Sequence, residues 1–370
     1  MRARPAARLL VVAGVLASCH LIFPFGQVGT DAGDAGDGSA PEGPALDHAA
    51  LEGGGVDTGP VDLLPAGDGV IYTLDCGSPS KVNDMKDGSG NLLSLVEPAM
   101  QLDEKTLVAR EQDGALMYRA TRLSGASFGP WEPWDAWNTS QQLKGHEDPS
   151  FVVRAASPQV LTAWNDGSGV RVIQACALTG SGPCQDVGIL VQGQPLTGDL
   201  DGPDLRQIEL PGVEDLVFAR AETAGGLTDL YLATGAALSG PFTAEKLPLS
   251  TPEHSEDDPA ISPDGALMVY TSNEKSLLWP VVGGQLDLWL AGVSGSSGYS
   301  RLAEPWQSAF SAMVNKARDD AAPDLAYYTL DGGMTLELFF HSDRGQMGGP
   351  GPFAIYRAAC GVMPQGRPPG

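Results

Sequence analysis

From residue 69 onward, apolar residues come in short runs separated by Gly, Asp, Ser and Pro, and no stretch sustains the 3.6-residue period of an amphipathic helix. The best helical candidate, Trp306 to Arg318, is short. The pattern predicts an all-β chain of many short strands. Tight turns join them, as at Ser262-Pro263-Asp264-Gly265 and Asn165-Asp166-Gly167, because Pro presets φ and Gly accepts positive φ.

Three signals recur together along this region. An aromatic or aliphatic residue stands two before an Ala at Tyr118, Ile173, Tyr231, Trp289 and Tyr356, at intervals of 55, 58, 58 and 67 residues. Ahead of each lies an apolar run: Leu107-Val108-Ala109, Leu161-Thr162-Ala163, Leu216-Val217-Phe218, Leu267-Met268-Val269 and Leu336-Glu337-Leu338. Before each run an acid sits near a Pro: Glu97-Pro98, Asp148-Pro149, Asp201 with Pro203, Asp258-Pro259 and Asp320 with Pro323. Strand repeats of this length are propeller blades. The expectation is a five-bladed β-propeller over 69–360, followed by a disordered tail, 361–370.

The stretch EDDPAISPDGALMVYTSN (256–273), followed by Asp287-Leu288-Trp289, resembles the WD40-like repeat of the TolB family of bacterial envelope propellers. The full motif is clear in that unit alone. A second pattern, Tyr118-Arg119-Ala120-Thr121 with Gly129-Pro130-Trp131 and Tyr231-Leu232-Ala233-Thr234 with Gly240-Pro241-Phe242, is similar to the five-bladed glycosidases that cleave arabinans and xylans. Five units fit those glycosidases better than the six blades of TolB.

The N-terminus changes where this propeller is expected to act. Arg2, Arg4 and Arg8 precede an apolar run from Leu9 to Ala17, the pattern of a secretory signal (1–18) and too short to span a bilayer. Leu16-Ala17-Ser18-Cys19 resembles the lipobox of bacterial lipoproteins, which makes Cys19 the expected lipid anchor. The analogy with enteric bacteria, where the residue after the Cys sorts the protein, points with His20 to the outer membrane. Residues 19–68 hold nine acids, no Lys or Arg, and repeated Gly, Ala and Pro. Such a segment cannot bury enough apolar surface to fold and reads as a self-repelling tether. Its Asp31, Asp34 and Asp37 are spaced by three, not by the two of a calcium loop, so it carries no metal expectation.

Charge and cysteine usage narrow the function. The net charge of −24, from 22 basic and 46 acidic residues, repels the phosphate backbone of nucleic acid. Residues 69–370 keep 19 basic against 37 acidic residues, which disfavours an acidic partner. With Cys19 set aside, four cysteines remain to be paired. Cys176 and Cys184 flank a turn and suit a hairpin disulfide. Cys360 ends a strand of the fifth unit after which the chain runs out in Gly and Pro. The strand-like segment before Cys76 has no unit of its own, so it is expected to supply the missing outer strand, with Cys76–Cys360 locking the ring.

Candidate chemistry is sparse. Gly125-Ala126-Ser127-Phe128-Gly129 has the spacing of a nucleophile elbow, but Pro130, Trp131 and Pro133 follow where a helix should open, so it reads as a turn. The five His residues show no metal spacing, no phosphate loop is visible, and no cofactor is expected. Among seven Trp, three at 131, 134 and 137 could stack on a sugar, although core packing explains them more simply. Carboxylates are the remaining reactive groups. The glycosidase resemblance implies acids converging at the axis, with Asp148, Asp201, Asp204, Asp258 and Asp320 as candidates. An acid that only caps a turn would repeat in every unit, whereas a catalytic one should break the repeat. The reading is a monomeric, non-catalytic lipoprotein whose propeller binds an envelope protein or a neutral glycan; the alternative is a tethered glycoside hydrolase.

Overall fold

The computed structural model describes residues 72–364, apart from 115, 141, 144, 155–156, 166–169, 179–182, 206–213, 224–225, 237, 239, 275–285, 294–297, 303–306, 308–309, 312–313, 316–318, 331–332 and 345–351. The signal, Cys19, the acidic tether and the Asn165-Asp166-Gly167 turn lie wholly or partly outside the described residues.

The chain enters as β1 (Tyr72–Cys76) and β2 (Ser80–Lys81) and then builds five sheets in succession, antiparallel but for one pairing in the third. Blade 1 contains β3 (Leu95–Met100), β4 (Thr106–Glu111), β5 (Met117–Ser124) and the short outer pieces β6 (Ser127–Phe128) and β7 (Glu132–Pro133), followed by α1 (Asp135–Asn138). Blade 2 contains β8 (His146–Arg154), β9 (Ser157–Asn165), β10 (Arg171–Ala177) and β11 (Gln185–Asp186). In blade 3, β12 (Ile189–Val191) and β13 (Gln194–Pro195) precede β14 (Asp199–Leu205), β15 (Glu214–Ala221), β16 (Thr228–Gly235) and β17 (Phe242–Lys246), and β12 returns parallel to β17. Blade 4 is β18 (Glu256–Ile261), β19 (Leu267–Ser272), β20 (Asp287–Val293) and β21 (Tyr299–Arg301). Blade 5 is β22 (Asp320–Leu330), β23 (Gly333–Ser342) and β24 (Ala354–Pro364), completed by β1 and β2.

The repeated sequence signals occupy equivalent places. Each acid–Pro pair lies in an innermost strand, each apolar run in the second, and each aromatic-x-Ala in the third. The apolar core is divided among the seams between blades: one cluster joins Val108, Trp137 and Phe151 of blades 1 and 2, another Leu161 and Phe218 of blades 2 and 3. The second strands are buried on both faces, Leu107, Val108 and Ala109 among them, which is why they read as continuous apolar runs rather than alternating ones. Four of the five motif alanines, at 120, 233, 291 and 358, are buried in these seams.

Helical side chains stand in for missing strand partners. Asn138 of α1 accepts from the Met117 N–H and donates to its carbonyl at 2.8 and 2.9 Å. Asn315, from the segment expected to be helical, does the same to Leu288 at 3.0 and 2.9 Å. Gln307, Phe310, Ser311 and Val314 of that segment are helical.

Ring closure follows the expected route. β1 pairs with β24 from Tyr72↔Pro364 to Cys76↔Cys360, and Cys76 is bonded to Cys360. β24 therefore continues four residues past the boundary expected at Cys360, because β1 needs 361–364 as its partner. Cys176–Cys184 closes the edge of blade 2. Across the closing seam, the Arg122 guanidinium donates to Glu337 at 3.1 and 2.5 Å and lies between the rings of Phe128 and Tyr328. Arg357 donates to the same buried carboxylate. The two disulfides close loops of very different length, 284 and 8 residues of separation. In the chain-entropy account that is worth about 5 kcal/mol against about 2.5 kcal/mol. Urea unfolding of the Cys76→Ser/Cys360→Ser chain is thus expected to show roughly twice the stability loss of Cys176→Ser/Cys184→Ser.

Candidate functional site

Every innermost strand carries the same irregularity. The ladder to the second strand shifts register between Val96 and Ala99, Glu147 and Ser150, Asp201 and Asp204, Asp257 and Ala260, and Ala321 and Asp324. At each shift the residue before the Pro is left-handed: Glu97 (φ 53°), Asp148 (48°), Gly202 (49°), Asp258 (44°) and Ala322 (47°). These are bulges, and a bulge re-aims side chains. Here the five prolines, with residues on either side of them, line one pocket on the propeller axis that encloses about 40 Å³.

Each blade gives this pocket one acid, placed on one side or the other of its Pro. Blades 1, 2 and 4 read acid–Pro–small: Glu97-Pro98-Ala99, Asp148-Pro149-Ser150 and Asp258-Pro259-Ala260. Blades 3 and 5 read small–Pro–acid: Gly202-Pro203-Asp204 and Ala322-Pro323-Asp324. The exchange in blade 3 has a steric cause. A Cβ at Gly202 would lie 2.8 Å from the Asp258 Cα and 3.2 Å from the Pro259 Cδ, so no acid fits there.

The acids after the Pro bind backbone. Asp204 accepts from the Ile261 N–H of blade 4 at 2.7 Å and from the Ser150 hydroxyl at 2.5 Å; Asp324 accepts from the Met100 N–H of blade 1 at 2.7 Å. Burial pushes Asp204 up to about 6, and burial with the Asp204 charge pushes Asp324 up to about 8.

The acids before the Pro are differently employed. Burial opposes ionisation of Glu97, but the two Arg110 hydrogen bonds and its charge outweigh that and hold the carboxylate below its ordinary range. His341, whose Nδ1 lies 3.4 Å from the Glu97 N–H, is pushed down to about 4 by burial. Asp148 is raised well above its ordinary value by burial and by the charges of Glu97 and Asp201. Its carboxyl is a hydrogen-bonding neighbour of both Asp201 and Glu97, and the buried Asp201 Oδ1 has no hydrogen-bond partner. Asp258 is raised by burial and then by Asp257, Asp201 and Glu97; Asp257 reaches about 7 through burial and Asp201. Arg171 binds Asp199 and Asp201 at the rim.

Of the residues singled out from sequence, Asp148, Asp204 and Asp258 line the pocket and Asp201 packs behind it. Asp320 does not reach it. Standing three residues before Pro323, ahead of the bulge, it is buried within its blade against Arg344. Glu97, Asp324, Arg110, Arg171 and His341 were missed as site residues. Glu97 and Asp324 are visible in sequence once the side of the Pro is considered, whereas the two Arg and the His come from second and third strands that no motif marks. Gly125–Gly129 is a hairpin turn, Gly125 (φ 49°) and Ala126 joining β5 to β6, in which Ser127 lies. Trp131 and Trp137 are fully buried, so they offer no stacking face. His146 lies 4.0 Å from the Cys176 sulfur, but both sulfurs of that group are in the disulfide.

Raised carboxyls contribute stability that is complete below the unfolded value near 4 and lost as pH rises through their folded values. The melting temperature is therefore expected to fall between pH 5 and 9, and differential scanning fluorimetry would show it. Asp324→Asn keeps an acceptor for Met100 and should flatten part of that slope. Asp324→Ala orphans the N–H and should cost about 1–3 kcal/mol.

No family model matches the sequence, and no curated protein does. Similar solved structures include the α-L-arabinofuranosidase of Podospora anserina solved with cellotriose, at TM-score 0.51 and 10% identity over 78% of this chain and 97% of that one. The catalytic domain of the GH62 α-L-arabinofuranosidase of Coprinopsis cinerea gives 0.50 and 12%, over 78% and 97%. A TolB-like protein from Agrobacterium tumefaciens gives 0.40 and 16%, over 80% and 86%. At these identities the likeness is one of fold: the chain is a five-bladed β-propeller, an architecture it shares with glycoside hydrolases.

Proposed function

We propose that the protein is an exported, lipid-anchored envelope propeller that binds, at the mouth of its acidic axis, an envelope protein or a neutral glycan without cleaving it. The observation that carries this reading is the size of the pocket. About 40 Å³ holds on the order of three waters, whereas sites that enclose a small-molecule ligand occupy about 300–1,000 Å³. Asp204 and Asp324 are moreover engaged with backbone N–H groups that would be orphaned if they moved. The acids leave an acidic partner at a disadvantage.

A second reading, the tethered glycoside hydrolase, is favoured by one observation. Glu97, held below the ordinary carboxylate range, stands beside Asp148, raised well above it, and environments that push two carboxyls apart in this way divide base from acid in glycosidases. Two assays on the purified full chain separate the readings. A glycan array with an envelope-extract crosslinking arm is expected to yield a ligand whose capture weakens on Glu97→Gln. Reducing-end release from plant and bacterial polysaccharides is expected to stay at background. Turnover abolished by Asp148→Asn or Glu97→Gln would establish the hydrolase instead.

A further inference from the structure

The histidines show no ligand spacing along the chain, yet the fold brings one of them against a pair of sulfurs. In blade 2 the register sets His146 of β8 opposite Trp164 of β9, and Cys176 of β10 opposite Val160. Side chains alternate across a strand, so His146, Cys176 and Thr162, which stands between Val160 and Trp164, share one face of the sheet. That face packs on Val108, Met117 and Trp137 of blade 1. Cys184, across the turn before β11, completes the group. One ring nitrogen of His146 and the two sulfurs all lie within 4.8 Å of one another, and Nδ1 stands 4.0 Å from the Cys176 sulfur.

Two contacts hold the imidazole in place. The Thr162 hydroxyl lies 2.5 Å from Nδ1, and the Trp164 ring stacks on it with centroids 5.9 Å apart. Cys176 is buried beside it, while Cys184 is only partly buried. An imidazole with two thiolates is a donor set that selects soft, closed-shell ions, zinc foremost. Around a tetrahedral zinc, bond lengths of about 2.3 Å to sulfur and about 2.0–2.1 Å to nitrogen place N and S about 3.6 Å apart, and the two S about 3.8 Å apart. The nitrogen therefore stands within about 0.4 Å of that separation from Cys176. The larger adjustment is between the sulfurs, which are bonded to each other at 2.04 Å and would have to part.

We propose that His146, Cys176 and Cys184 form a zinc site that takes the place of the disulfide when the disulfide is reduced, giving the outer edge of blade 2 two alternative clasps. An external thiol breaks the sulfur–sulfur bond and is itself oxidised to a disulfide. Each released cysteine carries a thiol proton, and zinc displaces both protons as it binds the two thiolates and the ring nitrogen, leaving a fourth position for water. The burial of the sulfurs sets the order of events. Cys184 is open to attack from solvent, whereas Cys76 and Cys360 of the ring-closing bond are both buried. Reduction therefore reaches the blade 2 pair first, and the ring stays closed while the clasp changes.

The test uses the full chain, reduced under native conditions by a phosphine so that no added thiol competes for the metal. Alkylation is expected to label Cys176 and Cys184 before Cys76 and Cys360. Native mass spectrometry should then show one zinc per chain with two protons lost, and cobalt(II) in its place should give a sulfur-to-metal absorption band. The oxidised chain should show neither. Even groups that only orient a ligand are worth about ten- to a hundredfold in metal affinity, so His146→Gln is expected to weaken zinc by at least about tenfold. Should that buried change prevent folding, Cys184→Ser, at the partly exposed position, must abolish the site. If reduction opens both disulfides, the two are followed at a fixed thiol-to-disulfide ratio, and zinc must draw Cys176–Cys184 alone to the reduced side. A reduced, folded chain that takes no zinc, zinc held equally by the oxidised chain, full affinity in His146→Gln or Cys184→Ser, or an equal shift of both disulfides would overturn the site.

Discussion

An L-residue held in left-handed backbone directly before a proline is the constraint on which this propeller depends. Four blades impose it on a residue with a side chain, at a cost of about 1–3 kcal/mol each. It persists because the ladders on either side of each bulge and the apolar seams behind it determine the strand path. What the strain achieves is direction: it turns the side chains flanking each Pro toward the axis at one level, so that five acids from five blades meet in one small space. The acid pocket is thus a consequence of the backbone and not of any one residue.

The sequence carried the architecture well and the site less well, for a physical reason. Repetition is readable because each blade must meet the same packing demands, hence the recurrent Pro, the apolar second strand and the aromatic-x-Ala of the third. Ring closure was readable because Cys360 and the segment before Cys76 lack partners under that pattern. The site was obscured because an acid on either side of a Pro looks like the same signal in one dimension. In the fold, the two sides differ. Asp204 and Asp324 tie neighbouring strands, Glu97 and Asp148 face each other across a seam, and Asp320, shifted two further residues, is lost to the pocket altogether. Gly202 shows how fine the control is, since its missing side chain follows from the approach of a backbone in another blade.

Electrostatically the axis is a crowd of like charges in which two guanidinium groups serve only the rim. Arg110 holds Glu97 below its ordinary range, and Arg171 does the same for Asp199 while also pairing with Asp201. The remaining acids are pushed up by burial and by one another, and Asp204 and Asp324 accept from the backbone N–H groups of the neighbouring blades. The protonation pattern is part of the packing.

The bond between Cys76 and Cys360 makes the propeller covalently circular, since the chain from one cysteine to the other closes on itself. Outside that closed loop the described fold leaves only the paired strand ends before Cys76 and after Cys360. A single backbone cut anywhere between those cysteines leaves every blade attached to every other, so that a nicked propeller remains one molecule. Damage at one exposed turn is thereby converted from loss of a fragment into a local defect.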